Sequence, residues 1–265
     1  MTGSAKERRG VMLMFLVGAG VTFVLAAILF WPAREPAGAT PDLPPSPEPA
    51  LAVPDPKPLD RSRHASWWAG VRLTTTARVA PRAGARAVAR IDKRTPEGTA
   101  NVLLVLDRAR DKRGRVWVRA RLPVLPNGTV GWVPRIALAG YWQVRTRLMV
   151  NLAKLRATLL RDGRPVFRAR IGVGLPQWPI PRGEFYVRNK LVRYRSPFYG
   201  PLAFGTSARS PVLTDWPDGG FVGIHGTDRP GRLPGRVSHG CIRMRNSDIL
   251  RLGKLMPVGT PLTVR

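Results

Sequence analysis

One thiol and two imidazoles share a short stretch: His225, His239 and Cys241, in FVGIHGTDRPGRLPGRVSHGCIRM (221–244). Cys241 is the only cysteine in the 265 residues, and His64 is the third and last histidine. Between His225 and His239 lie Asp228, Pro230, Gly231, Pro234 and Gly235, residues that turn a chain back on itself. A thiolate attacks a carbonyl and a nearby imidazole moves the protons, so these groups suit nucleophilic acyl transfer. His239 and Arg243 bracket the thiol with groups that favour its anion, and Gly240 permits close backbone approach.

Other chemistries fit these residues less well. Structural zinc takes four ligands with paired spacings such as C-x2-C, and no second pair accompanies Cys241, so a metal is not expected. Ser238 lacks the G-x-S-x-G setting of a serine nucleophile. A lone cysteine can also be a small buried hydrophobe or pair with another chain.

The motif carries a resemblance. Ile224-His225-Gly226-Thr227, a Gly/Pro loop, then Ser238-His239-Gly240-Cys241-Ile242-Arg243-Met244 is similar to the signature of the L,D-transpeptidase catalytic domain family. Upstream, Pro181-Arg182-Gly183-Glu184-Phe185-Tyr186-Val187, Tyr199-Gly200 and Ser210-Pro211-Val212-Leu213 extend the likeness over about 145–265. Trp178-Pro179-Ile180-Pro181 departs from the Thr-Pro-Thr-Pro often found in that family. The resemblance implies Cys241 as nucleophile and His225 as general base and acid, held by a backbone carbonyl. It implies that Ser238, His239 and Gly240 shape the pocket and oxyanion hole, and that Arg243 orders the site or binds a substrate carboxylate. The implied reaction is 3→3 cross-linking of peptidoglycan stem peptides through a thioester, without cofactor, and with sensitivity to carbapenems. An L,D-carboxypeptidase and a catalytically idle wall-binding protein are the alternatives.

The elements that must position these groups read as mainly β. In 141–265, Arg147–Leu160 and Pro165–Val173 flank the hairpin signal Asp162-Gly163, and Gly183–Val187 starts another strand. Asn246 or Ser247 is expected to cap a short helix with Ile249, Leu252, Leu255 and Met256 on its apolar face, ended by Pro257 and Gly259 before a last strand. The family resemblance makes this a β-sandwich-type catalytic domain. In 67–140, NVLLVLD and RVWVRARL flank a turn at Asp111–Gly114, and Pro126-Asn127-Gly128 makes a second. Short strands at this density suggest a small barrel. VWVRARLPVLPNGTVGWVP resembles bacterial SH3-like domains, which implies either a module that positions the wall polymer or a spacer.

Residues 11–31 carry no charge, and about 20 apolar residues cross a bilayer. Lys6, Arg8 and Arg9 before this run predict a single-pass anchor with a cytoplasmic tail at 1–10 and everything beyond residue 31 outside the membrane. The run exceeds the ~7–15 residues of a signal-peptide core. Ten prolines between 32 and 60 predict an extended linker over 32–66.

Charge follows the same division. The net charge is +28, and 39 of the 44 basic residues lie from Arg61 onward, against 10 acidic ones. Such a surface suits anionic wall polymers, or it is a solvated arginine-rich surface with no partner of its own. A nucleic-acid partner is excluded by the predicted location.

Overall fold

The computed structural model describes residues 64–192, 197–213 and 220–265. The predicted membrane span at 11–31 and most of the linker at 32–66 lie outside them. No helix among the described residues is long and apolar enough to cross a membrane.

Residues 66–144 form a seven-stranded sheet, and residues 146–264 a ten-stranded one. In the first, β1 (Ser66–Val71), β2 (Thr75–Arg78), β3 (Ala87–Ile91), β4 (Val102–Arg110), β5 (Val116–Arg121), β6 (Val130–Pro134) and β7 (Leu138–Val144) lie in the order β3-β2-β6-β5-β4-β1-β7. The order runs from β3 at one end to β7 at the other. The expected division after Gly140 falls inside β7, because Trp142 pairs with Trp68 of β1, a long-range match that local pattern does not reveal. At the β4–β5 turn the Asp111 carboxylate accepts from the Arg113 and Arg115 backbone N–H groups and the Trp117 indole. Short polar side chains that bond their own backbone two residues on stabilise such turns.

The second sheet holds β8 (Thr146–Asn151), β9 (Arg156–Arg161), β10 (Arg164–Arg170), β11 (Gly172–Gly174), β12 (Gly183–Val192), β13 (Leu202–Arg209), β14 (Phe221–His225), β15 (Gly235–Ser238), β16 (Ile242–Arg243) and β17 (Pro261–Val264). The stretch Arg147–Leu160, read as one extended segment, is two strands around a tight turn. Asn151 Oδ1 accepts the Lys154 N–H at 2.8 Å, and Leu155 takes φ 45°. The long β12 joins two wings: its first half pairs with β17 and its second with β13. Side chains of both wings, such as Leu148, Leu159 and Phe167 from one and Phe204, Ile224 and Ile242 from the other, share a single core. One folded sheet thereby packs its apolar faces together as a sandwich does.

The helix α1 (Asn246–Leu255) closes this core with Ile249 and Leu252, joined by Met256 just beyond its end. Neither Asn246 nor Ser247 caps it: the N-cap is Arg245, with no side-chain cap hydrogen bond. Asn246 is recruited elsewhere, at the turn after His225.

Candidate active site

Strand alternation sorts the key residues. In β14, Val222 and Ile224 enter the core, leaving Phe221, Gly223 and His225 on the opposite face. In β16 and the residue before it, Ile242 enters the core and Cys241 and Arg243 flank it on the other face. The two strands run parallel, with Ile224 opposite Ile242 and His225 opposite Arg243. The Met244 N–H donates to the His225 carbonyl at 2.8 Å and extends this registration. The fifteen residues between His225 and Cys241 are the crossover that a parallel pair needs.

The thiol and the imidazole converge on Gly223. Its N–H donates to Cys241 Sγ at 3.4 Å. A β-carbon on Gly223 would lie 3.6 Å from Sγ and 3.8 Å from His225 Cδ2, so the bare glycine leaves the space between them open. Burial pushes the half-buried Cys241 thiol above its usual value, against the pull of the Gly223 N–H and the Arg243 charge.

His225 is 1% exposed. Its Nδ1 lies 2.6 Å from the Gly226 carbonyl, which can only accept, so Nδ1 carries the proton. Nε2 is then the basic nitrogen, and it is buried with no hydrogen-bond partner. Burial lowers the His225 pKa to about 4; the Gly226 carbonyl opposes this and the Arg243 charge adds to it. The ring is therefore neutral near pH 7 and poised to accept a proton at Nε2. Tyr199 meets it edge-on with centroids 4.7 Å apart.

Asn246 holds the turn after His225. Its Oδ1 accepts the Thr227 N–H at 2.9 Å, and β-carbons on Gly200 or Gly226 would lie 2.4 and 2.3 Å from that oxygen. Two glycines without side chains are what let the amide reach the loop. Sequence reading placed Asn246 at the helix cap and missed this, since the contact spans nineteen positions.

Ser238 is fully buried and its Oγ donates to the Cys241 carbonyl at 2.6 Å while accepting the Gly240 N–H at 3.3 Å. Its hydroxyl thus braces the turn that presents the thiol, and is not directed at a ligand. Gly240 adopts φ +105°, a region costly for other residues. His239 is exposed and its ring lies against Trp178, 4.1 Å between centroids. Arg243 is 5% exposed, its guanidinium 4.3 Å over the Phe198 ring and its Nε without a partner. A pocket lined by Phe198, Phe221, His225, Gly240, Cys241 and Arg243 opens above these groups. Among the described residues no three His, Cys, Asp or Glu side chains converge as metal ligands would.

The L,D-transpeptidase catalytic domain profile of the YkuD family matches residues 145–264. The match covers less than half of the chain, and it contains every residue of the site described above. YkuD of Bacillus subtilis is 35% identical over 117 residues, covering 44% of this chain and 64% of its own. The Bacillus licheniformis YkuD is 33% identical over 118 residues, with the same coverage. The chain therefore spans about 64% of the length of these relatives. Among solved structures, the catalytic domain of the Enterococcus faecium L,D-transpeptidase is 29% identical, covers 45% of this chain and 96% of its own, and superposes with a TM-score of 0.35. The matched stretch begins where the first sheet ends.

Proposed function

We propose that this protein is an L,D-transpeptidase that forms 3→3 cross-links between peptidoglycan stem peptides. One observation carries the reading: a neutral, buried His225 with Nδ1 anchored and Nε2 unpartnered, across an open glycine from the sole thiol. His225 Nε2 takes the Cys241 proton as Sγ attacks the carbonyl of the third stem residue. The terminal D-alanine leaves as its amine, protonated by the imidazolium, and a thioester remains on Cys241. The side-chain amine of a second stem then attacks the thioester, loses a proton to His225, and regenerates the thiol. No cofactor takes part. Arg243, buried and lined up beside the thiol, binds a donor carboxylate.

The predicted anchor at 11–31 places this chemistry outside the membrane, where its substrate lies. The basic surface suits retention on anionic wall polymers, and the first sheet, whose sequence is similar to SH3-like domains, is the module that accompanies the catalytic one.

Mass spectrometry of tetrapeptide stems incubated with the protein tests the reaction. Native protein should release D-alanine and yield dimers, and Cys241→Ala should yield none. Dimers formed by Cys241→Ala would end the cysteine mechanism, and tripeptide without dimer would mark the protein as a carboxypeptidase. A carbapenem should add its mass to Cys241; an unmodified thiol would count against the family assignment of reactivity.

A further inference from the structure

Phe221, which lines the pocket two residues before Gly223, has two guanidiniums against its ring. Arg188 lies 3.6 Å and Arg209 5.0 Å from its ring centroid. Residues between β1 and β7 hold the Arg188 cation and the Arg209 backbone. The Glu97 carboxylate accepts from Arg188 at 2.8 Å and from the Asn189 amide at 3.1 Å. Arg188 and Glu97 are almost sealed from water, at 1% and 9% side-chain exposure. Asn127, in the turn before β6, grips Arg209 twice: its amide donates to the Arg209 carbonyl at 2.7 Å and its Oδ1 accepts the Arg209 N–H at 3.0 Å.

Local backbone explains how consecutive residues reach one carboxylate. In the β12–β13 ladder Val187 faces Thr206 and Asn189 faces Gly205, so Arg188 is the extra residue of a bulge. A bulge re-aims a side chain that regular alternation would send to the opposite face. Arg188 Nε also donates to the Thr206 carbonyl, and the Thr206 hydroxyl to that of Val222, beside Phe221.

We propose that Glu97 and Asn127 are positioning residues for the active site: through Arg188 and Arg209 they fix the Phe221 wall beside Cys241. The first sheet thereby shapes the donor pocket. This rests on the reading that the pocket receives the acyl donor. A stability role alone would need the ion pair but not its contact with Phe221.

The test uses the full chain with Glu97→Gln, the double variant E97Q/R188M, and Asn127→Ala, which lies in a partly exposed turn. Removing one partner of a buried pair destabilises, whereas replacing both by uncharged groups can be neutral, so the double variant should regain the native Tm. Cys241 is the sole thiol, so its reaction with iodoacetamide, a small reagent, and with dithionitrobenzoate, a bulky aromatic disulfide, reports the pocket directly. In E97Q/R188M and in Asn127→Ala the ratio of the two rates should shift by about threefold or more, with donor kcat/KM down about tenfold, chiefly through KM. A native rate ratio in both folded variants overturns the proposal. Absence of D-alanine release by the native protein would overturn the transpeptidase reading instead, and the rate ratio would still decide whether the wall is positioned from the first sheet.

Discussion

The buried His225 makes the stability of the fold depend on pH. Its folded-state pKa of about 4 lies below the 6.5 of a free imidazole. Between those values the unfolded chain binds a proton that the folded chain does not, so stability is fully present above 6.5 and is lost as pH falls toward 4. The contribution is roughly 3 kcal/mol. Tm measured from pH 7 down to pH 4.5 should drop more steeply for the native protein than for His225→Asn; parallel curves would refute the buried neutral imidazole. The thiol behaves oppositely in sign. Burial raises the Cys241 pKa and the Arg243 charge pulls it down. Arg243→Met should therefore raise the pH at which iodoacetamide reacts at half its maximal rate, slowing alkylation near neutrality about two- to tenfold. Equal pH–rate curves for the two proteins would rule out that electrostatic support.

Turns, at the next scale, present the reactive groups, and two of them rest on contacts with no slack. A β-carbon on Gly174 would lie 2.0 Å from the Trp178 carbonyl oxygen and 3.2 Å from Gly240 Cα. Gly174→Ala should push the Trp178–His239 pair away from the thiol and lower stability by about 1–3 kcal/mol, read by urea titration. Thr227 is 1% exposed and its N–H has Asn246 Oδ1 as acceptor. Asn246→Ala leaves that donor without a partner, with an expected loss of about 1–3 kcal/mol and slower D-alanine release. A variant as stable and active as native would show that α1, not its first side chain, holds the loop. The hairpin turns at Asp111–Gly114 and Asp162-Gly163 were legible, because turn chemistry is local. The split of Arg147–Leu160 was not, since Leu155 adopts a left-handed conformation its residue type does not advertise.

The two sheets act together across the whole described region. The Tyr186 hydroxyl donates to the Val102 carbonyl at 3.0 Å, and Tyr186 packs with Val102 and Leu104 in a small cluster of their own. Cutting the chain to residues 145–265 would strip partners from Tyr186, Arg188 and Asn189 at once. Arg188 would lose the Glu97 carboxylate that compensates its charge. Circular dichroism and gel filtration should find 64–265 folded and monodisperse and 145–265 markedly less stable. Equal Tm values for the two fragments would make the first sheet dispensable for folding.

The chain's chemistry was written in residue types and spacing: a sole thiol, a histidine sixteen positions earlier, and a turn-rich loop between them. The mainly β character was legible too, since short alternating runs and Gly or Asn turns act over a few residues. Tertiary structure decided the rest. Only parallel pairing of β14 with β16 puts His225 beside Arg243, and only the fold places Asn246, Phe198 and Trp178 around the site. The link from Glu97 through Arg188 to Phe221 spans more than ninety positions and depends on a bulge. Such contacts follow from which strand edges meet, and that is set by burying a shared core, not by any local pattern.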